Sequence, residues 1–555
     1  MATPKNPPLQ RSGLSVLALF SASIVTAAVM TVLRLPTVGL PAVFVAFLAL
    51  ALVGFRNVRI ATDPAPLRFW EKAVITIAVV LQIVRLVPYA LQYLDGTLVA
   101  AVNFDDNWHF QEVASLVTSK TFPPMLNFRP DTALHFYYVA WMPAAAFADL
   151  FALFGAPLVK LSYALGTLLL GGAAAVVLLL FLRHTLAPHR RGVAFVALFL
   201  VGAVPDGAVV IARLLSGTLA SAARDPEWWQ LGFGVPNQIS ALSTLVVWVP
   251  HHLTSAIALL LAVVITTEPR TLKPRPSFVA FAAAGLLVGV SVYSSAFAVI
   301  GGVVALSPLL FRLVASRATV LPATLAAATA LLVGLPLAYL YLGSEAAGGF
   351  RLFEVFQRWH ETFGSVPLAL VGHVFAFVFL MAEVGWLAAW ALFARDAPRR
   401  SVLGQCAVAA SLYLLATVVV TFSGANNVSM RGAIVPTIVI AAFWARAVVP
   451  DEAGETPWRL PRKALAVLVP AAVLAVVAHV YEIGRHLHES ATAIAYSGET
   501  DACKDWVMRV NAGLASPTDE ARKTCVDDKT VYGIERPFFK DTLARPDREL
   551  MGHGP

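Results

Sequence analysis

The stretch of this sequence best equipped for chemistry is Asn103–Phe104–Asp105–Asp106–Asn107–Trp108–His109–Phe110–Gln111–Glu112. Its spacing is helical. In a helix Asp105, His109 and Glu112 stand at i, i+4 and i+7 on one face, with Asp106 one residue round. Adjacent carboxylates repel, so one of the pair holds its proton more tightly and can act as a base near neutral pH. Asp105, Asp106 and His109 together also form a donor set for a divalent cation such as Mg²⁺ or Mn²⁺. The competing reading is an acidic helix start favoured by the helix dipole, followed by an interfacial histidine.

Other segments carry groups of similar character. Trp248–Val249–Pro250–His251–His252 opens an apolar run. Adjacent side chains diverge by about 100° on a helix, so at least one histidine is expected to be structural, and His252 is the one read as binding phosphate, relaying protons or contributing to a metal site. The stretch Ser423–Gly424–Ala425–Asn426–Asn427–Val428–Ser429–Met430–Arg431–Gly432 interrupts two apolar runs. At the top of a helix the Arg431 guanidinium can clamp a phosphate bidentately, or it can snorkel to headgroups. Arg351, Glu354 and Arg358 follow at i, i+3 and i+7, the pattern of an ion-paired interfacial face, with phosphate or acceptor binding as the alternative. Glu383 lies well inside an apolar run, where charge is costly and often functional, the alternative being a protonated Glu bonded to a neighbouring helix.

The elements that must position these groups are membrane helices. Of 555 residues 58% are hydrophobic and 13% charged, and the mean hydropathy is +0.73. A soluble globular chain is about 45–50% apolar and about 25% charged, so soluble enzymes, disordered chains and fibrous proteins are excluded. The chain is read as an all-α polytopic membrane protein with thirteen transmembrane helices. These lie near 14–33, 37–55, 73–94, 158–182, 192–215, 245–266, 277–295, 296–311, 319–341, 366–393, 402–422, 431–448 and 464–482. The pair between 277 and 311 could instead be one long kinked helix. Four parts follow: N-terminal helices over 1–94, an outer loop with interfacial helices over 95–157, a transmembrane bundle over 158–482 and an outer tail over 483–555.

The net charge of +8 would suggest nucleic acid in a soluble protein. Here the basic residues alternate by side. One set of connecting segments holds 21 Lys or Arg, whereas the short segments of the other set hold eight: Arg34, Lys120, Arg129, Arg213, Arg224, Arg351, Arg358 and Arg431. That bias predicts a cytoplasmic N-terminus and an external C-terminus. A span over His135–Phe154 would invert every later loop, so this stretch is expected to lie at the outer interface, with Tyr137, Tyr138 and Trp141 at the boundary. The first apolar run of about 20 residues is longer than a signal-peptide core and reads as an anchor. Cys503 and Cys525 of the tail could pair in an oxidising compartment. No Walker loop, dinucleotide fingerprint or His–Glu–x–x–His occurs.

The order acidic patch, Trp108–His109–Phe110, Phe122–Pro123–Pro124, Arg129–Pro130 and His135–Phe136–Tyr137–Tyr138 resembles the first outer loop of GT-C superfamily glycosyltransferases. It looks most like the membrane-protein group named for a Tyr-Tyr-Tyr motif, with Phe136–Tyr137–Tyr138 in place of three tyrosines. The convincing part covers about 95–155. The resemblance implies a polyprenyl-phosphate-linked sugar as donor, a glycan, lipid or protein acceptor in the cell envelope, and inversion at the sugar carbon. The site would lie on the outer face of a bacterial cytoplasmic membrane. It also implies Asp105 or Asp106 as the base that deprotonates the acceptor. The loop around Asn427 and Arg431 resembles an Asn–Asp…Met–Arg loop of related enzymes, with Asn427 where an Asp is expected. His109, Arg129, Tyr137, Tyr138, His252, Arg351, Arg358, Asn427 and Arg431 are the expected substrate-binding residues. The alternatives are a secondary transporter or flippase, whose ionisable residues would sit deeper on broken helices, and a non-catalytic assembly subunit.

Overall fold

The computed structural model describes residues 8–58, 60, 66–95, 109, 112–113, 115–117, 119, 122–126, 129–133, 138–154, 159–217, 235, 237–247, 249–272, 276–342, 350–393, 399–422, 426–449 and 462–495. Asp105, Asp106, Tyr137 and the tail with Cys503 and Cys525 lie outside these described residues. Among them, nine helices are long and apolar enough to cross a membrane, or ten if one bent pair counts as a single span. Long apolar runs of this kind are stable only as helices, because hydrocarbon supplies no partner for backbone N–H and C=O groups. The chain is an all-α polytopic membrane protein.

Burial separates central from peripheral helices. In Asn427–Val448 89% of the most apolar window is buried, but in Thr37–Asn57 only 11% is. The peripheral helices turn side chains such as Leu50, Leu332, Val374 and Leu412 outward, as lipid-facing helices do. The helix Pro250–Thr266 is the innermost of those described, with every residue buried. It packs against Phe278–Ser294, Val159–Thr185, Ala296–Ala315 and Ile434–Val448.

Two of the expected spans depart from a straight helix, and the expected pair between 277 and 311 is two helices. The run 192–215 is two helices, Pro188–Leu200 and Ala203–Leu215, bent by 45°. Gly202 makes the bend with φ of +73°, and a Cβ there would lie 2.6 Å from the carbonyl oxygen of Ile239, so only glycine fits. The Gly202 amide donates to the carbonyl of Glu383 at 3.3 Å. Glu383 is buried, in the π-helical turn Met381–Gly385. The run 245–266 is likewise interrupted, as Leu242–Val247 and Pro250–Thr266. Between 277 and 311 two helices, Phe278–Ser294 and Ala296–Ala315, meet at Ser295, whose extended backbone ends the first and whose hydroxyl caps Ala298 of the second.

The stretch that might have been a further span forms a short turn, Tyr138–Trp141, and the helix Met142–Ala152. Eleven residues reach only about 16 Å, too short to cross a bilayer. Its position corrects one expectation. Trp141 is 0% exposed and Tyr138 4% exposed, so both are packed inside the protein rather than standing at the lipid–water boundary. Two small ribbons complete the architecture. Met125–Leu126 pairs with Arg129–Ala133, and Phe350–Leu352 pairs antiparallel with Val420–Phe422 in the register Phe350↔Phe422 and Arg351↔Thr421.

At the end that the charge bias assigns to the cytoplasm, Glu71 and Arg183 join two helices. The Arg183 Nε donates to Glu71 Oε1 at 2.7 Å and Nη2 to Oε2 at 2.5 Å, with both side chains buried.

Candidate functional site

His109 is helical and 3% exposed. Its Nδ1 lies 3.0 Å from Oε2 of Glu112, one turn further on. Three rings wall the imidazole. Trp141 stands 4.9 Å away between centroids, Tyr163 is stacked at 5.9 Å, and His251 meets it edge-on at 4.6 Å. The ring of His252 follows at 3.8 Å from that of His251. Arg431 is close enough to His252 to act on it electrostatically, as are His251 and His109. Residues far apart in sequence thus gather at one place: a carboxylate, three imidazoles, an indole and a phenol that are buried, with a half-buried guanidinium beside them.

Local features place each contributor. Pro250 occupies the first turn of its helix, where a missing N–H costs nothing and the fixed φ suits a helix start. It delivers both histidines into the first turn, with the His252 amide bonded to the Val249 carbonyl at 3.0 Å. Arg431 follows a single helical turn, Asn427–Met430, whose entry is held by Asn426 in a left-handed conformation (φ 35°). The Asn426 amide donates to Asn237 Oδ1 at 2.6 Å, and its Oδ1 accepts from the Phe422 amide at 3.3 Å. Ser429 accepts from the Gln238 amide, and the Tyr413 hydroxyl donates to the Val428 carbonyl at 2.8 Å. Close backbone contact locks the turn onto Ala296–Ala315, since a Cβ on Gly301 would stand 1.8 Å from the Gly432 oxygen.

Among the described residues, Nε2 of His109, Nε1 of Trp141 and Nε of Arg431 are without a hydrogen-bond partner. Further along the same helices is an apolar cavity of about 180 Å³, lined among others by Leu253 and Ile257, which follow His252, by Ile434 and Ile438, which follow Arg431, and by Ser243 and His479; none of the group's own residues lines it. His479 is held there by the Ser243 hydroxyl at 2.6 Å. Cationic and proton-transferring groups on the same helices as an apolar cavity suit a molecule with an anionic head and a hydrocarbon tail.

The sequence-derived residues divide accordingly. His109, His252 and Arg431 come together. His251, expected to stand apart from its neighbour, belongs to the same group: side chains of adjacent helical residues leave the backbone about 100° apart, yet the two ring centroids are 3.8 Å apart. Asn427 lies half-buried in the Arg431 turn, while the side chain that organises that turn is its neighbour Asn426. Tyr138 lies beside Thr31 and Tyr293. Arg129 opens its strand, and its side chain is outside the described part, as are Asp105, Asp106 and Tyr137. Arg351 and Arg358 pair with Glu354 at 3.2 and 2.5 Å. Burial acts to raise the Glu354 carboxyl, but the Thr421 hydroxyl and the Arg358 guanidinium outweigh it and hold it below the usual carboxylate range.

Among the described residues no set of three or more His, Cys, Asp or Glu side chains is arranged to hold a metal ion. A cation at His109 would draw on Nε2, because Nδ1 is engaged by Glu112, and would need Asp105 and Asp106. Trp141, Tyr163 and Asn426 carried no signal in the sequence, since their roles depend on neighbours distant along the chain. Glu112 did carry one, its place on the His109 face. No family model, no curated protein and no solved structure matches the chain.

Proposed function

We propose that this chain is a membrane glycosyltransferase of GT-C type, with about thirteen transmembrane helices. It moves a sugar from a polyprenyl-phosphate donor to a cell-envelope acceptor on the outer face of a bacterial cytoplasmic membrane. The observation that carries this reading is the meeting of buried His109, His251 and His252 with half-buried Arg431. Each comes from a segment that sequence chemistry alone singled out. In this reading Arg431 binds the lipid phosphate through its guanidinium, with the cavity further along the same helices taking apolar carbons of the donor. The acceptor oxygen attacks the sugar carbon opposite the phosphate, with inversion, and negative charge grows on the departing phosphate beside Arg431 and the histidines. The resemblance names Asp105 or Asp106 as base. A divalent cation held by Asp105, Asp106 and His109 would neutralise phosphate charge.

One observation favours a second reading. Glu383 is buried in a π-helical turn directly against the Gly202 break, and acids at broken helices mark coupling sites in secondary transporters. One experiment separates the two. The purified protein in lipid nanodiscs is offered polyprenyl-phosphate sugars with envelope acceptors, and the same protein in sealed vesicles is tested for movement of labelled lipid-linked sugar. Transfer that Arg431→Ala abolishes supports the transferase. Movement without transfer, lost in Glu383→Gln, supports the transporter.

A further inference from the structure

The short helix Met142–Ala152 carries a single charged residue, and that residue is buried. Asp149 is 8% exposed, and its Oδ2 is shut off from solvent with no hydrogen-bond partner among the described residues. A lone carboxylate is strongly disfavoured in such a place, so the group keeps its proton instead. Burial accordingly pushes it up to about 7. The docking that buries it rests on small side chains. Ala144, Ala145, Ala146 and Ala148 are buried, and Gly166 of Val159–Thr185 leaves room for Ala144, whose Cβ would stand 2.8 Å from one added there. Alanine removes little apolar area from water, so each contact contributes little against a buried charge. The far end of the helix lies at the rim of the protein, with Leu150, Leu153 and Phe154 exposed. A short outward movement therefore brings Asp149 to water.

The elements packed against this helix are Val159–Thr185, Leu40–Gly54, Pro8–Val32 and the turn Tyr138–Trp141. Leu40–Gly54 has no titratable residue, and Pro8–Val32 has only Arg11, near its start. Val159–Thr185 brings Lys160 and Tyr163 at its near end and Arg183 and His184 at its far end, and the turn brings Tyr138. The Lys160 side chain is outside the described part, and no described residue pairs with Asp149. The helix begins where the turn ends, and Trp141 of that turn is the ring 4.9 Å from His109. Whatever shifts the helix thus shifts one wall of the candidate site. We propose that Asp149 is a proton-operated latch on that wall. With its proton in place the helix docks. Once the proton passes to water, the carboxylate leaves the interior, the helix releases and the Trp141 wall loosens. The latch is independent of the transferase reading.

Amide exchange on the full chain in nanodiscs tests the latch without any substrate. Exchange is measured at about pH 5 and about pH 7 and corrected for the intrinsic amide rate at each. The docked carboxyl holds its proton up to about 7 and the released one up to 3.8, so docking weakens as pH rises between those values. The opening equilibrium of Met142–Ala152 should therefore rise about fiftyfold from the lower pH to the higher. The turn Tyr138–Trp141 should open with it, while Pro250–Thr266 should stay unchanged as the internal control. Asp149→Asn, neutral at both pH values, should show no rise. Asp149→Glu, which keeps a titrating group, should show one, and thermal melts at the lower pH verify that each variant is folded. The latch is overturned if the wild-type helix exchanges equally at both pH values, or if Asp149→Asn rises as wild type does. It is overturned equally if Pro250–Thr266 opens in parallel, since the change is then global. A helix that opens while the Trp141 turn keeps its protection refutes the link to the site.

Discussion

Replacing Gly301 by alanine adds one carbon to a helix that touches no substrate group, yet it should disable the site. The new Cβ would stand 1.8 Å from the carbonyl oxygen of Gly432, 2.7 Å from its carbon and 3.0 Å from its Cα. Real Cβ atoms keep at least about 3.0 Å from such atoms, so the two backbones must part by about 1.2 Å. The atoms in the way are backbone, and no flexible side chain can absorb the strain. The Gly432 turn has little room to retreat, because a Cβ on that residue would meet the Tyr413 hydroxyl at 1.9 Å, and Tyr413 is itself bonded to Val428. The displacement therefore reaches Arg431, the adjacent residue. Misplacing a charged clamp by about 1 Å can cost on the order of a hundredfold in rate. Donor binding to wild type and Gly301→Ala in nanodiscs, followed by titration calorimetry and by kcat/KM, should show a loss of about ten- to a hundredfold in the variant. Gly172→Ala, where an added Cβ meets nothing within 4 Å, is the control and should bind as wild type does. If folded Gly301→Ala binds donor as tightly as wild type, the Arg431 turn does not hold the phosphate.

Other outcomes follow from the ion pairs and buried acids. Glu71→Gln should destabilise the protein by about 3–5 kcal/mol, because it strands the buried Arg183 guanidinium; replacing both residues by leucine should recover most of that loss in a thermal melt. Burial pushes the Asp149 carboxyl up to about 7 from 3.8, so the folded state holds its proton longer than the unfolded one does. Stability then falls as pH rises between those values, and Asp149→Asn should raise the melting temperature increasingly across that window and level off above it. Glu354 has the opposite sign. Its lowered value contributes stability above the unfolded 4.5 that is lost as pH falls through the folded value. Acid should therefore speed amide exchange in the ribbon Phe350–Leu352, while Thr421→Val should begin that loss at higher pH.

Much of the helical framework was legible because it is local. Apolar runs of span length can only be helices in a membrane, and the positions 366–393 and 402–422 correspond closely to Val366–Leu380 with its continuation to Phe393 and to Val402–Val419. The break at Gly202 was hidden. One glycine in an apolar run reads the same whether or not the Ile239 carbonyl leaves room for a side chain. Trp141 and Tyr138 misled for a related reason. Aromatic residues with a polar tip suit a membrane boundary and a protein interior equally well, and their sequence neighbours cannot say which surface they meet.

The same division runs through the site. Residue types alone marked His109, His252 and Arg431 as able to bind phosphate or move protons, since those capacities belong to the side chain and its place at a helix start. The pairing of Glu112 with His109 was implicit in a separation of three residues on one helix. That His251 joins the group, that Trp141 and Tyr163 wall it, and that Asn426 rather than Asn427 holds the Arg431 turn were decided by tertiary structure. Composition and hydropathy determine that this chain folds in a membrane, because each residue contributes to that balance wherever it stands. Which side chains meet depends on how the Pro250–Thr266 helix is enclosed by helices distant along the chain, and packing of that kind leaves no local trace in the order of residues.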